Sequence, residues 1–285
     1  MAINDIRIAI LGGRGMLGTD LTSICEQQGF DVKVFDLPEF DIRNPEHLKR
    51  VVDSAEAIIN CAAYTNVDGA ENEAELAYKV NAEAIGSLGA VVKDEDKWLL
   101  HTSTDFVFDG RLGRPYVETD CPNPVNTYGK TKLTGEKLLA ESGCRHCIIR
   151  LEWTYGLAGN NFVTKIIKRA KADKTLKVVD DQTGSPTATV EVAKMICKLL
   201  PKKPQGIFHF AAAGYVSRYE AAKFIFDKLS FDVNLLPCKT GDFVTAAERP
   251  LNSRFDCSKI KALLGEPIEH WQGPLERFLM GLKQL

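Results

Sequence analysis

A chain of 285 residues is long enough for one large α/β domain with an appended lobe, and it can bury its core without disulfides or metal ions. Its 45% hydrophobic and 26% charged residues, with a formal net charge of −2, give no indication of a nucleic-acid partner or a membrane. Eight scattered cysteines and an N-terminus without a signal-peptide pattern lead us to expect a reducing, cytoplasmic location.

The first half of the chain alternates short apolar runs with longer helical patterns, which predicts a parallel sheet with helices on both faces. The predicted strands lie at 6–11, 32–36, 57–62, 98–103 and 146–151. Helical patterns follow the first and third of these strands, over 16–28 and 71–92. The pattern therefore predicts an α/β fold with a doubly wound, Rossmann-type parallel sheet.

After residue 151 the alternation loosens, and loop-rich segments separate two remaining strand patterns near 176–180 and 206–211. We predict that the sheet domain comprises residues 1–151, with these two later strands interleaved into it. Residues 152–285 then form mainly a smaller C-terminal lobe, which we expect to lie over the carboxyl edge of the sheet.

The stretch LGGRGMLG follows the first predicted strand and opens the first helix, as a phosphate-binding turn requires. Gly13, Gly15 and Gly18 satisfy a G-x-G-x-x-G spacing, whereas Gly12, Gly15 and Gly18 satisfy G-x-x-G-x-x-G. In either register, backbone N–H groups and the helix N-terminus can approach a pyrophosphate. The loop therefore predicts a dinucleotide cofactor.

The choice between NADPH and NADH rests on two conflicting charges. Asp36 ends the second predicted strand, where an acid binds the free ribose hydroxyls of NADH and repels the extra phosphate of NADPH. Arg14, inside the glycine loop, could neutralise that phosphate. We therefore expect NADPH or NADH and leave the preference open.

Two Tyr-x-x-x-Lys patterns occur, and only their contexts distinguish them. Tyr128 and Lys132 begin the helix after the fourth strand, where Asn126 is a suitable N-cap, so they lie at the carboxyl edge of the sheet. A phenol at this edge can act as acid and base beside a nicotinamide. Tyr219 and Lys223 lie instead in an amphipathic helix of the second half, which indicates packing.

These features together resemble an extended short-chain dehydrogenase/reductase, with Ser103 and Thr104 as strand-end hydroxyls. Over nearly the whole chain, an ordered series of motifs resembles the dTDP-4-dehydrorhamnose reductase family. The motifs are INCAAYTNVDGAENEAELAYKVNAEAIGSL, STDFVFDG, NTYGKTKLTGEK, RLEWTYG, GNNFV, VVDDQTGSPT and ERPLNSRFDCSK. The resemblance implies reduction of the 4-keto group of dTDP-6-deoxy-L-lyxo-4-hexulose to dTDP-L-rhamnose by a monomer or homodimer. The sheet domain would bind the dinucleotide and the C-terminal lobe the sugar nucleotide.

The resemblance also implies residue roles. Tyr128 would donate the proton, Lys132 would lower the pKa of that phenol and bind the nicotinamide ribose, and Thr104 would tune the site. The implied substrate-binding residues are Thr104, Asp105, Tyr128, Trp153 and Arg249. The implied cofactor-binding residues are Gly12, Gly15, Met16, Leu17, Gly18, Asp36, Asp41, Ile42, Ala62, Ala63, Tyr64 and Lys132. Arg249 is the candidate cation for the diphosphate, and the alternative is an ordinary surface arginine.

We expect no metal ion. Some family members dimerise through magnesium held by glutamates, but those ligands do not map onto this chain residue by residue. Cys144 and Cys147 form a Cys-x-x-Cys pair, yet no second pair lies at zinc-site spacing, so a metal role for them is not indicated.

Two positions depart from the family pattern. Phe106 stands where these reductases usually have Tyr, and Glu152 stands where they commonly have a small hydroxyl residue before Trp153. Related dehydratases carry Glu at the position of Phe106, which cannot transfer a proton, so dehydration is not expected. The departures leave open a related 4-keto-6-deoxy sugar or another nucleotide.

Two other classes of function stay open at this stage. One is a non-catalytic regulatory homologue that resembles the methionine adenosyltransferase beta subunit, although the intact Tyr128 and Lys132 weaken this alternative. The other is a nucleotide-sugar epimerase or dehydratase, which would isomerise or dehydrate its substrate without net consumption of cofactor.

Overall fold

The structure is a computed structural model that describes residues 6–283 and contains twelve strands and eleven α-helices in that range. The strands are β1 (Arg7–Leu11), β2 (Asp31–Phe35), β3 (Ala57–Asn60), β4 (Trp98–Thr104), β5 (Arg145–Leu151), β6 (Thr154–Tyr155), β7 (Thr175–Val179), β8 (Thr183–Gly184), β9 (Thr187–Ala188), β10 (Gly206–Phe210), β11 (Val216–Ser217) and β12 (Asn234–Cys238). The helices are α1 (Met16–Gln27), α2 (Pro45–Asp53), α3 (Gly69–Asn72), α4 (Ala74–Tyr78), α5 (Ala84–Asp94), α6 (Thr127–Ser142), α7 (Phe162–Ala172), α8 (Thr189–Leu199), α9 (Arg218–Leu229), α10 (Ser258–Leu264) and α11 (Gln272–Lys283). Short 3-10 turns lie at Asp105–Val107 and Thr240–Asp242.

The central sheet has six parallel strands in the order β2, β1, β3, β4, β5, β10. Because β1 lies between β2 and β3, the chain reverses its direction of travel across the sheet at this point. Such a switch point leaves a crevice at the carboxyl ends of the strands, where open α/β sheets bind ligands. The predicted doubly wound α/β fold is confirmed.

Each face of the sheet is covered by helices, as the apolar runs of the strands require. Ile8 and Ile10 of β1 pack on the side of α1 and α8, and Ala9 and Leu11 pack on the side of α2 and α5. This alternation follows from the opposite directions of successive side chains in a strand. Since α8 belongs to the second half of the chain, the second half completes the core of the first.

The two later strands have different places. β10 pairs with β5 and forms one edge of the central sheet. β7 pairs instead with β12 in a separate two-stranded sheet, although the sequence led us to expect a strand near 176–180 interleaved into the main sheet. Leu176 and Val178 are buried in a second apolar core together with residues of α7, α9 and α11, which fixes β7 in the C-terminal lobe. The domain bounds 1–151 and 152–285 stay a prediction.

The predicted helix over 71–92 is divided in the structure. It comprises α3 and α4, a π-helical turn at Lys79–Glu83, and α5. Asn81, inside the π-helical turn, accepts a hydrogen bond from the backbone N–H of Tyr64 at 2.9 Å and donates to the Thr131 hydroxyl at 3.1 Å. The turn thereby ties the segment after β3 to helix α6. Within residues 6–283, no helix combines the length and the apolar character that crossing a membrane would need.

Candidate active site

A cavity of about 780 Å³ runs along the carboxyl edge of the sheet, between the glycine loop and the C-terminal lobe. Most of the side chains proposed from the sequence line it. They are Gly12, Gly15, Met16, Leu17, Asp36, Asp41, Ile42, Ala62, Ala63, Tyr64, Thr104, Asp105, Tyr128, Lys132 and Trp153. Gly18 and Arg249 are the two proposed residues that are absent from the described lining of this cavity.

The glycine loop is shaped by close approach of the backbone. Gly12 has a φ of +72°, and a Cβ atom there would lie 2.7 Å from the Cα of Ala62, at the end of β3. Gly15 is the N-cap residue of α1, so the N-terminus of that helix opens into the cavity. A Cβ at Gly18 would collide with the Gly12 carbonyl oxygen, so glycine at this position allows helix α1 to pack closely against the loop. A Cβ at Gly13 would meet the Val34 side chain, and Gly13 is not in the described lining of the cavity. This favours the register of Gly12, Gly15 and Gly18.

Asp36 and Arg14 have separate partners. The Asp36 carboxylate accepts hydrogen bonds from the backbone N–H groups of Arg14 and Leu37, both at 2.8 Å, and thereby holds the glycine loop against the end of β2. The Arg14 guanidinium donates to the Leu37 carbonyl at 2.8 Å and to Glu39 at 3.0 Å. Because the Arg14–Glu39 pair is exposed, the guanidinium can exchange this partner for a ligand phosphate at little cost.

Helix α6 fixes the reacting end of the cavity. Its N-cap, Asn126, accepts from the Gly129 N–H at 2.8 Å and donates to the Glu248 carbonyl at 2.7 Å, so the helix start is held by the C-terminal lobe. Tyr128 lies in the first turn, with its ring edge-on to Phe106 at 5.6 Å between ring centroids. Burial, followed by the nearby charge of Asp105, raises the pKa of the Tyr128 phenol to about 12. The phenol is therefore protonated at neutral pH and able to donate.

Lys132 is buried one turn further along α6 and donates to the Thr102 carbonyl at 2.8 Å. Burial lowers the pKa of its ammonium group to about 8. The sequence led us to expect that Lys132 would lower the pKa of Tyr128. In the structure, the effects of burial and of Asp105 dominate and raise it.

His101, which was not predicted from the sequence, lies directly behind Lys132. Its Nε2 is 3.3 Å from the Lys132 Nζ, and its Nδ1 is 3.0 Å from the Asn60 Nδ2. The Asn60 Oδ1 accepts from the Ala62 N–H at 3.0 Å, so the Asn60 amide must donate to Nδ1, and the ring proton is on Nε2. An N–H that points at Lys132 favours the uncharged amine. A polar residue inside the apolar run WLLHTS was the available signal.

The hydroxyl groups of Ser103 and Thr104, at the end of β4, differ in their hydrogen-bond partners. Ser103 donates to Glu136 at 2.5 Å, and Glu136 in turn pairs with the buried Arg150 at 2.6 Å, so the Ser103 hydroxyl is engaged within the protein. Thr104 donates to the Asp105 Oδ1 at 3.0 Å. The other carboxyl oxygen of Asp105 is buried and has no hydrogen-bond partner among the described residues. Burial raises the pKa of this carboxyl group.

Trp153 and its neighbours form the wall that the C-terminal lobe contributes. Trp153 has a φ of +44°, a strained conformation for a tryptophan. The guanidinium carbon of Arg218, the first residue of α9, lies 3.5 Å from the centroid of the Trp153 ring and 4.8 Å from that of Phe162. Arg218 also lines the cavity. No motif in the sequence marks Arg218, so its place at the cavity was not predicted.

Glu152 is fully buried directly before Trp153. Neither of its carboxyl oxygens has a hydrogen-bond partner among the described residues. Burial, and next the charge of Asp105, raise the pKa of this carboxyl group well above its ordinary value. Glu152 is therefore protonated over a wider pH range than an exposed glutamate.

The remaining candidates from the sequence lie elsewhere. Arg249 makes two hydrogen bonds to the Asp68 carboxylate, at 2.6 and 2.7 Å, and so links the segment after β3 to the C-terminal lobe. Tyr219 packs against the core of the C-terminal lobe, and Lys223 pairs with Asp227 at 3.0 Å. The second Tyr-x-x-x-Lys pattern thus belongs to a packed helix.

Comparison with known proteins identifies the family of the chain. Residues 6–284 match the family model described as RmlD substrate binding domain. The chain is 37% identical to the dTDP-4-dehydrorhamnose reductase of Aggregatibacter actinomycetemcomitans over 95% of this chain and 97% of that protein. It is 35% identical to the dTDP-4-keto-6-deoxy-D-glucose reductase of Streptomyces niveus, over 93% of each.

Among solved structures, the fold is similar to dTDP-4-dehydrorhamnose reductase from Bacillus anthracis in complex with NADP. The TM-score is 0.92 at 36% identity, and the match covers 97% of this chain and 99% of that one. The family expected from the sequence motifs is thus confirmed, and the chain belongs to the dTDP-4-dehydrorhamnose reductase family.

Proposed function

We propose that this protein is an NADPH-dependent reductase that converts dTDP-6-deoxy-L-lyxo-4-hexulose into dTDP-L-rhamnose by reducing the 4-keto group. The observation that carries the proposal is the meeting of the glycine loop, Tyr128 and Lys132 in one cavity, in a chain that is similar to reductases of this name over nearly its full length. The carbonyl carbon gains a hydride and its oxygen gains a proton, so the products are a secondary alcohol and NADP⁺.

The residues at the glycine loop fit a dinucleotide. Gly12 and Gly15 present bare backbone beside the N-terminus of α1, and a side chain at Gly12 would fill the space against Ala62. Backbone N–H groups and the helix dipole at this position favour a pyrophosphate. When bound, NADPH supplies the hydride. Arg14, which can release the exposed Glu39, is suited to the additional phosphate of NADPH.

Tyr128 is the proposed proton donor. Its raised pKa keeps the phenol protonated before the reaction, as donation to the developing alkoxide requires. Lys132 is proposed to bind the nicotinamide ribose, and Thr104 and Asp105 are proposed to position the sugar. Phe106 beside Tyr128 has no proton to transfer, which supports reduction over elimination of water.

We also propose the compartment in which the enzyme acts and its oligomeric state. We place the enzyme in the cytoplasm as a monomer or homodimer that acts on a dTDP-sugar and has no nucleic-acid partner. Buried thiols such as those of Cys25, Cys147 and Cys197 suit a reducing compartment, and the net charge of −2 gives no attraction to nucleic acid.

The test is NADPH oxidation on addition of the 4-keto sugar nucleotide, with identification of the product. Tyr128→Phe removes only the hydroxyl group, so we expect kcat to fall about 10²- to 10⁴-fold while NADPH binding is retained. Tyr219→Phe is the matched control and should retain full activity, because this tyrosine packs in the C-terminal lobe.

Three results would contradict the proposal. The first is an isomerised or dehydrated product without net NADPH consumption, which would indicate an epimerase or dehydratase. The second is equal activity of the wild type and Tyr128→Phe. The third is an inert wild-type protein that co-purifies with a methionine adenosyltransferase, which would indicate the regulatory class. Turnover of dTDP-4-keto-6-deoxy-D-glucose in preference to the proposed substrate would retain the reaction and change the sugar.

A further inference from the structure

Arg218 lines the cavity without a protein partner for its charged group. Among residues 6–283, its guanidinium makes no hydrogen bond or ion pair, although its backbone N–H bonds to the Gln182 carbonyl. One face of the group lies on the Trp153 ring at 3.5 Å, and Phe162 lies at 4.8 Å. Stacking of this kind holds a planar guanidinium in place and leaves its five N–H donors at the edge. Arg218 is thus held in place with its donors open to a ligand.

The other cations at the cavity are engaged. Arg43 pairs with Asp41 at 2.6 Å, near the second strand, and Lys132 donates to the Thr102 carbonyl beneath Tyr128. Arg249, the cation proposed from the sequence for the diphosphate, pairs with Asp68 and is not in the described lining. Of these four cations, Arg218 is therefore the one with a full set of donors available to a ligand.

The neighbours of Arg218 identify the part of the ligand that it meets. Its stacking partner Trp153 lines the cavity together with Asp105 and Tyr128. Asp105 follows β4 and Tyr128 lies in the first turn of α6, so these two residues mark the reacting end of the cavity. At this end, the Asp105 Oδ2 is an acceptor without a partner. A donor and an acceptor that are both unpartnered suit a hydroxyl group, which donates one hydrogen bond and accepts another.

Glu152 leaves the hydrogen-bond donors of Arg218 available. It is fully buried, yet its carboxyl oxygens receive no hydrogen bond from Arg218 or from any other described residue. A charged carboxylate at hydrogen-bond distance would occupy the fork of the guanidinium. Without that contact, Glu152 occupies none of the N–H donors of the guanidinium.

We propose that Arg218 is a sugar-binding, specificity-determining residue, which donates hydrogen bonds from its Trp153-stacked guanidinium to oxygen atoms of the hexose ring of the bound sugar nucleotide. This inference rests on the proposed function, because it takes a dTDP-hexose as the ligand. It assigns to Arg218 a contact at the sugar and not at the diphosphate. The fork also discriminates between hexoses, since a hexose without an oxygen at this position would leave the donors unpaired.

The test compares two ligands that differ only in the sugar. Binding of dTDP-L-rhamnose and of dTDP is measured by titration calorimetry, in the presence of NADP⁺, for the wild type and for Arg218→Met. Methionine keeps an apolar side chain against Trp153 and removes the donors. We expect Arg218→Met to weaken dTDP-L-rhamnose about 10- to 100-fold, the range for hydrogen bonds from a charged group, and to leave dTDP nearly unchanged. The affinity of Arg218→Lys for dTDP-L-rhamnose should lie between those of the wild type and Arg218→Met, because lysine keeps the charge without the planar set of donors.

Two controls separate binding from folding. Lys223→Met removes an exposed cation from the same helix and should leave both affinities unchanged. NADPH affinity, measured for every variant, should match the wild type, because the two rings that the Arg218 guanidinium contacts, Trp153 and Phe162, lie outside the glycine loop.

Each other outcome overturns the inference. An equal loss for dTDP and dTDP-L-rhamnose would assign Arg218 to the diphosphate, and unchanged affinity for both would leave it no role in binding. If the wild type neither binds dTDP-L-rhamnose nor oxidises NADPH, the proposed function fails and the inference fails with it. If the wild type is active and only the Arg218 variants behave otherwise than expected, the inference alone fails.

Discussion

Glu152 shows how one buried residue of the active-site wall can lower the stability of the folded protein. A carboxyl group without hydrogen-bond partners in a fully buried position is disfavoured in its charged form, which is why its pKa is raised well above 4.5. In the unfolded chain the same group has its ordinary pKa. From about pH 4.5 up to the raised folded value, the unfolded state releases a proton that the folded state retains. Stability therefore falls as the pH rises through this window.

Glu152→Gln keeps the shape of the side chain and removes the titration. We expect the free energy of unfolding of the variant to increase relative to the wild type as the pH rises from about 5 to about 8, by up to about 1.4 kcal/mol for each pH unit within the window. Urea denaturation of both proteins across this range measures the difference. Parallel stability profiles of the two proteins would show that Glu152 is not held protonated by the fold.

The short elements of the C-terminal lobe position the indole ring of Trp153. Gly184 ends β8, and a Cβ atom there would lie 2.6 Å from the Cε2 of Trp153. The guanidinium carbon of Arg218 lies 3.5 Å from the centroid of the same ring, so the ring cannot move without disturbing that contact. Trp153 is also in a strained backbone conformation, with a φ of +44°. Glycine at 184 is thus required by the packing of the ring.

Gly184→Ala should displace the indole ring and weaken binding of dTDP-L-rhamnose more than binding of NADPH. Overpacking of this kind also costs about 1–3 kcal/mol of stability. Gly113→Ala is the matched control, because a Cβ at Gly113 meets no atom within 4 Å. Titration calorimetry with both ligands, together with a thermal melt, distinguishes the two effects. Equal loss of both affinities would argue that the substitution acts on the fold as a whole and not on the sugar-binding wall.

The elements of the first half could be predicted because each depends on local pattern. Strands β1 and β3 are mainly apolar and β4 begins with an apolar run, and the glycine loop and Tyr128 were recognisable from the strand that precedes each of them. The outcome for β7 could not be predicted, because its apolar residues fit the main sheet and the C-terminal lobe equally well. Its partner, β12, lies more than fifty residues further along the chain.

The parts of the site that escaped prediction are those set by contacts between distant segments. Asp68 and Arg249 are separated by 181 positions, and only the folded chain brings them together. Arg218 reaches the cavity because α9 is placed against Trp153 by the packing of the C-terminal lobe. No spacing rule within a motif records such a contact. The residues found from the sequence are therefore those that act near their own strand end.

The chain passes repeatedly between the two halves of the molecule. After β5 it enters the C-terminal lobe, returns as α8 and β10 to complete the central sheet and its covering layer, and leaves again with α9. Helix α8 packs directly on α1, the helix that follows the glycine loop, and the sulfur atoms of Cys25 and Cys197 lie 3.3 Å apart between them. Residues from both halves of the chain thus build the core around α1 and α8, and this interleaving favours unfolding in a single step.

The interleaving of the two halves predicts one thermal transition that NADPH shifts as a whole. A ligand at one hundred times its Kd stabilises the folded state by about 2.7 kcal/mol, so we expect the single transition to rise by several degrees. Differential scanning calorimetry measures this, and Tyr128→Phe, which keeps the glycine loop, should show the same shift. Two transitions, of which NADPH moves only one, would mean that the halves unfold separately. In that case α8 and β10 would not couple the sugar-binding wall to the dinucleotide site, and the contact between α1 and α8 would be dispensable to the stability of the C-terminal lobe.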